Sequence, residues 1–253
     1  MGVTPLRMQH SSLQVQDSAP QNRYDVEKIF AKGTEYPIKT GTESGPESHN
    51  DEVIRECAQD YKHAVHFAYG NWIAVDRKII KPNSVKKGQV WVASNKEVVG
   101  KMHHRVFATL TFTHADPRVG RIAQAACHYP TKGHKPSDPN WDINRRYSLR
   151  IEQWMKSAGR GQALAFANGD FNMLDNTHKQ DWSFGRDFTS MADELKAWQN
   201  TGHGPIDGFC SYDHDGRVKA KRFNVLDDKE FNLFTDHYLC RGVWEITHLK
   251  GKS

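Results

Sequence analysis

The stretch QALAFANGDFNMLD, Gln162 to Asp175, runs apolar and then breaks off in Asn168-Gly169-Asp170-Phe171-Asn172. A short apolar run bounded by turn-forming residues reads as a buried strand. A buried polar group costs free energy unless something pairs with it. An acid and an amide at the tip of such a strand therefore need a reason.

Working outward, the same kind of tip recurs. Cys127-His128-Tyr129-Pro130 ends the strand-like run RIAQAACH, 121–128. Ile206-Asp207-Gly208-Phe209 opens the run IDGFCSY, 206–212, and Thr235-Asp236-His237-Tyr238 opens the last one, HYLCRGVWEIT, 237–247. A lone Asp beside a strand is usually a turn or cap residue. A lone His is usually a satisfied structural side chain. Four such units in order along the chain are harder to dismiss.

The rest of the pattern supplies the frame. Val26, Ile29 and Phe30 predict a short helix stopped by Gly33, and Val53, Ile54, Cys57 and Tyr61 predict another opened by Asn50. Strands are expected over 72–80, 89–94, 105–114 and 219–226. Over 105–114, Val106, Ala108, Leu110 and Phe112 alternate with more polar neighbours, the period of a strand. Ile143, Tyr147, Ile151, Trp154 and Met155 predict a helix closed by Gly159, and Phe188, Met191, Leu195 and Trp198 predict one more. Residues 40–50 and 130–140 read as long polar loops with functional roles. Many strands with a few helices suggest two packed sheets flanked by helices.

Bulk properties narrow the class. The 253 residues suit one large domain, 1–253. No apolar run approaches a membrane span, and Met1 to Gln14 lacks a secretory pattern. Leu6 stands where N-myristoylation would want Ser or Thr. Cys57, Cys127, Cys210 and Cys240 are too scattered for zinc or a disulfide framework, so they read as reduced core residues of a cytoplasmic protein. A monomer is expected. The formal charge of +5 is a mild excess compatible with a polyanionic partner. Phosphate-loop, nucleophile-elbow and HExxH zinc motifs are absent. His103 and His104 would be split across a strand by alternation, which disfavours a transition-metal pair there.

His128-Tyr129-Pro130, Gly169-Asp170-Phe171-Asn172, Ile206-Asp207-Gly208-Phe209 and Thr235-Asp236-His237 together resemble the endonuclease/exonuclease/phosphatase superfamily, the DNase I-like fold. The resemblance is specific over about 121–247 and weaker upstream. It implies a four-layer α/β/β/α sandwich, two mixed sheets face to face with outer helices, and a site at one edge of the sheets. The run to Asp170 is then an inner strand whose tip lines a cleft, with Gly169 removing a side chain beside it and Phe171 turned to the core. The resemblance also places a metal-binding Glu at the end of an early strand, and Glu43 fits. The family's first strand usually ends in Asn, and LRMQHSSLQVQ has none; Gln14 is the best positional match and His10 the second. Tyr61 to Arg77 offers no second Glu to orient His128.

Phosphodiester hydrolysis needs a nucleophile, charge stabilisation on the equatorial oxygens and help for the leaving oxygen. Carboxylate and amide oxygens suit Mg²⁺ or Mn²⁺. The resemblance implies Glu43 as metal ligand with Asp236 and Gln14 as helpers. It makes His237 the general base paired with Asp207, Asp170 the group orienting water, and Asn172 and His128 the donors to phosphate. Lys132 and Lys135, in the loop after His128, and Arg145 are candidate contacts to a nucleic-acid backbone. The expected function is a divalent-metal-dependent phosphodiesterase, a nuclease acting on DNA. Two other readings stand beside it: a phosphatase of small phosphomonoesters, and a non-catalytic nucleic-acid-binding protein of the same fold.

Overall fold

The computed structural model describes residues 2–12, 22–44, 49–100, 104–133, 135–172, 188–196, 199, 207–213, 215–226 and 237–249. Two six-stranded sheets pack face to face. One runs in the order β11 (Val218–Leu226), β12 (Leu239–Thr247), β1 (Val3–Ser12), β2 (Ile38–Thr42), β4 (Asn71–Asp76), β3 (His63–Ala68). The other runs β5 (Lys86–Ala93), β6 (Arg105–Thr113), β7 (Arg121–His128), β8 (Ala163–Asp170), β10 (Asp207–Tyr212), β9 (Phe188–Ser190). Both sheets are mixed, since β1 with β2 and β7 with β8 are parallel and the other described pairs antiparallel.

Alternation sorts the side chains into layers. Val106, Ala108, Leu110 and Phe112 of β6 face Ile73 and Val75 of β4 and Leu6 and Met8 of β1 in the core between the sheets. On the outer face of the second sheet, Phe107 and the alanines of β8 pack against Tyr147, Ile151 and Met155 of α3 (Trp141–Arg160). On the outer face of the first, Trp72 and Ala74 pack against Ile29 and Phe30 of α1 (Arg23–Ala31) and Ile54 and Cys57 of α2 (His49–Asp60). The result is the four-layer α/β/β/α sandwich. β8 is covered on both faces, which is why all eight of its residues are buried and why it reads as an unbroken apolar run. None of the four cysteines forms a disulfide, and all are buried. Among the described residues no helix is long and apolar enough to cross a membrane.

Several expectations need correcting. The run 72–80 is a strand only to Asp76, whose carboxylate accepts from Lys78 N and starts a 3₁₀ turn over Arg77–Ile79. Residues 40–42 are buried strand, not loop. Phe188 lies in β9 and only Met191–Leu195 are helical (α4), so the apparent helical spacing joined two elements; Trp198 lies outside the described residues. α3 runs one residue past Gly159, to Arg160, with Gly161 as its C-cap, and Gly159 also admits the Tyr212 ring, which a Cβ there would meet at 2.3 Å. β3 was not legible: one histidine interrupts each of its faces, His63 beside Val65 and Phe67 and His66 beside Ala64 and Ala68. It pairs with β4 through the two-residue turn Tyr69-Gly70, with φ of 47° and 78°. That left-handed pair is what a type I′ hairpin turn requires, and it ordinarily takes Asn-Gly.

Gly169 decides how closely β7 and β8 can approach. It is the register partner of Cys127, and a Cβ would fall 1.9 Å from the Cys127 carbonyl oxygen. Gly169→Ala must push the two strands apart at the site. We expect a loss of at least about 1–3 kcal/mol, the usual cost of overpacking, read from the midpoint of urea unfolding. An unchanged midpoint would mean that the close strand contact is not needed.

Candidate active site

Strand register assembles the site. His128 is the parallel partner of Asp170, and Asp207 is its antiparallel partner, so three adjacent strands place the three residues in one row. Neighbours in such a row project from the same face. From the opposing sheet come Glu43, just after β2, His10 on β1 and His237, just before β12. The two sheets therefore close on each other with acids and imidazoles at this edge.

His237 Nδ1 lies 2.6 Å from Asp207 Oδ2, and His237 Nε2 lies 3.9 Å from Asp170 Oδ2. The other oxygen, Asp207 Oδ1, faces His10 Nε2 at 3.5 Å, while His10 Nδ1 bonds Thr40 Oγ1 at 2.8 Å. His128 Nε2 faces Glu43 Oε1 at 2.9 Å and Asp170 Oδ2 at 3.5 Å. Asn172, with φ 47°, folds back on the strand end. Its backbone N–H donates to Asp170 Oδ1, and its side-chain amide donates to Asp170 Oδ2 and to the Tyr129 carbonyl. Phe171 turns the other way, into the core under α3, and meets Tyr129 edge-on.

Burial and mutual charge set the protonation states. Burial lifts the Asp170 carboxyl well above the ordinary carboxylate range, and the Asp207 charge pushes the same way. Burial would lift Asp207 too, but His237 and His10 outweigh it and hold it down at about 2. Burial opposes a charged His237, yet the bonded Asp207, with Asp170 and Glu43 behind it, lifts the imidazole to about 10. Glu43 is held below its usual value by His128 against the opposing effect of burial. His128 is lowered, mainly by burial, with Arg105 adding to the effect against Glu43.

Arg105, at the start of β6, was not singled out from the sequence. Its Nη1 lies 3.3 Å from His128 Nδ1. A guanidinium can only donate, so the neutral ring carries its proton on Nε2, the nitrogen facing Glu43. Arg105 thus contacts His128 where the second Glu is missing. The one available sign was an Arg opening an otherwise apolar strand. His10, the second positional match, is at the site. Gln14 and Asp236 lie outside the described residues. At the end of β1, Ser12 pairs with Thr42 beside Glu43, their hydroxyls 2.7 Å apart. Lys132 and Lys135 are exposed in the loop that follows His128. Arg145 is exposed on α3, and no described contact ties it to the cluster.

Ligand atoms of Glu43, His128 and Asp170 lie within 4.8 Å of one another. Glu43 Oε2 is buried with no hydrogen-bond partner among the described residues. An orphaned carboxylate oxygen beside a second carboxylate fits a cation with hard-oxygen preference. The set is able to hold a metal, position a bonded imidazole–carboxylate pair, and offer a further ring N–H.

No family profile matches the chain, and no curated protein matches it in sequence. Solved structures do. An endonuclease/exonuclease/phosphatase family protein from Bacteroides thetaiotaomicron superposes with a TM-score of 0.71 at 16% identity, covering 98% of this chain and 100% of that one. TDP2 of D. rerio, in complex with a single-strand DNA product, gives 0.69 at 10% identity over 95% and 99%. A mannosyl-6-phosphatase of B. thetaiotaomicron gives 0.66 at 16% over 96% and 100%. The chain has the DNase I-like fold of the endonuclease/exonuclease/phosphatase superfamily. The neighbours differ in what they act on, so the fold leaves the substrate open.

The charged pair yields a direct test. In cation-free protein His237 should titrate near 10. Asp207→Asn should bring it down, because the carboxylate that favours the imidazolium is gone. Imidazole proton resonances followed against pH, with His237 assigned by comparison with His237→Ala, measure both values. A wild-type His237 titrating at its ordinary 6.5 would remove the pair.

Proposed function

We propose that residues 1–253 form one catalytic domain, a divalent-cation-dependent phosphodiesterase that cleaves nucleic acid, DNA foremost, by attack of water. The observation that carries this reading is the bonded His237–Asp207 pair held opposite Asp170 and the Glu43–His128 contact. Imidazole–carboxylate pairs of this kind serve as general bases. Glu43 and Asp170 would hold the cation, Mg²⁺ or Mn²⁺ by their oxygen donors. Such an ion, when bound, neutralises charge building on the phosphate oxygens.

The chain's own groups take the remaining roles. His237 Nε2 accepts the proton of the attacking water, and Asp207 fixes the ring and stabilises its charged form. Asp170, 3.9 Å from that nitrogen, orients the water. His128 Nε2–H, which lies close to Glu43 Oε1 but makes no well-formed hydrogen bond among the described residues, donates to the phosphate as charge builds. Asn172 acts by fixing Asp170 rather than by reaching the phosphate, since its amide is already engaged. Asp170 and Glu43, which add to the larger effect of Asp207 on His237, are the groups that would hold the cation, so a loaded site would lower His237 from its raised value and favour the neutral ring that a base needs. The buried, unbridged cysteines suit a reducing, cytoplasmic setting, and a monomer suffices because the site is built from one chain.

Supercoiled plasmid, linear DNA and RNA, each incubated with and without EDTA, test the reading. We expect cleavage of DNA that EDTA abolishes. His237→Ala should lose about 10²–10⁴-fold in turnover, and Glu43→Gln should need far more cation to reach its rate. Binding without turnover at any Mg²⁺ or Mn²⁺ concentration would instead favour a non-catalytic binding protein. Release of inorganic phosphate from small esters without plasmid nicking would favour the phosphatase reading.

A backbone-binding loop makes a separate forecast. Affinity for DNA should fall steeply with salt as phosphate contacts release counterions. Replacing Lys132 and Lys135 by Ala should flatten that slope by about two counterions' worth. A KM indifferent to salt in wild type would argue for a small substrate.

A further inference from the structure

At the open edge of the sandwich, three aromatic rings form a cluster that the catalytic chemistry does not use. Tyr69, Trp91 and His104 meet pairwise edge-on, with ring centroids 5.1, 5.5 and 5.0 Å apart. Tyr69 and Trp91 are 37% and 45% exposed, so the cluster is not core. It bridges the two sheets: Tyr69 caps the β3–β4 hairpin of one, and Trp91 lies on β5 of the other.

The cluster adjoins the catalytic residues on both sides. Ser44, next to Glu43, donates its backbone N–H to the carbonyl of Gly70, the residue after Tyr69. His104 precedes Arg105, which touches His128. Behind it, the Asn140 side chain ties Val99, in the loop leaving β5, to Thr131, in the basic loop with Lys132. Hydrogen bonds thus tie the hairpin that carries Tyr69 to the segment after Glu43, and the loop leaving the strand of Trp91 to the loop of Lys132.

The sequence supports a purpose for the exposed ring. Tyr69 sits at φ 47° in a two-residue turn. Asn would fill that position with less strain, and a bulky side chain at positive φ is a conformational outlier. His104 is also fixed, since its Nδ1 accepts from Asn95 N–H. Outliers of this kind persist where surrounding structure holds them and often mark binding surfaces.

We propose that Tyr69, Trp91 and His104 form a stacking subsite for a nucleobase flanking the scissile phosphate. The inference rests on the nuclease reading of the same site and deepens it. Every base offers a π-face, so such a platform binds single strands with little sequence preference. It would set the strand's direction across the site by fixing the nucleotide next to the reacting phosphate.

The test separates binding from turnover. Short single-stranded oligodeoxynucleotides, intact or carrying one abasic residue at successive positions, are titrated in EDTA and then assayed for cleavage with Mg²⁺. Wild type should lose about 5–100-fold in affinity when the abasic residue falls at one particular position. Trp91→Ala should lose that same factor with the intact strand and be indifferent to the abasic one. Tyr69→Asn removes a ring while keeping the turn, so it should fold at least as stably and show the same indifference in part. Equal affinity of wild type for all strands, with cleavage intact, overturns the subsite and leaves the nuclease reading standing. Position-dependent binding without cleavage supports the subsite and sinks the catalytic reading. No binding of any strand overturns the subsite.

Discussion

Asp170 and Asp207 are register partners on adjacent strands, 1% and 4% exposed. Two carboxylates so placed cannot both be ionised without nearby positive charge, because water is excluded and the charges repel. The surrounding residues answer this constraint. Asp207 takes the charge and shares it with His237 and His10. Asp170 is driven toward its neutral form and is held by the backbone and side chain of Asn172. Glu43 adds a third carboxyl, whose charged form the facing His128 ring favours against the effect of burial. A dication bound to such a set would displace protons from the carboxyls that ligate it, because metal ligands must be deprotonated.

Much of the fold was legible because both-face burial and one-face burial leave different marks. β6 shows its alternation, and β8 shows the unbroken apolar run of a strand covered by α3 on one side and the opposite sheet on the other. The misreadings have physical causes. Phe188 to Leu195 has helical spacing only because a three-residue strand abuts a one-turn helix. Gly159 falls one residue short of the helix end and is also a contact point for Tyr212. His63 and His66 hid β3, since each finds a partner beyond its own strand: Lys39 for one and the Gly88 carbonyl for the other.

The candidate site was legible where chemistry sits in compact motifs at strand ends. His128, Asp170, Asp207 and His237 are brought together, along with Glu43. The partners that act through space were not. Arg105 is distant in sequence from His128 and belongs to the neighbouring strand, and nothing local marks its contact. His10 was named as a first-strand position, but its contact with Asp207 from the other sheet was not. Sequence patterns record which face a residue occupies, and they do not record what the facing sheet presents to it.

Backbone conformation draws the rim together. Glu43, Tyr69 and Asn172 all adopt positive φ, at 58°, 47° and 47°. Asn tolerates the left-handed region well, and here it uses it to turn its amide back onto Asp170. Glu and Tyr gain no such local bond from it. For Glu43 the turn comes at the first residue past β2, where an extended chain would carry the next side chain away from the gap between the sheets; the left-handed step keeps its carboxylate opposite His128. For Tyr69 it is the hairpin that fixes φ, and the side chain chosen there is one that can meet Trp91. Three residues of the rim thus sit at positive φ, while the strands behind them, closely packed through Gly169, hold the row of His128, Asp170 and Asp207 in register.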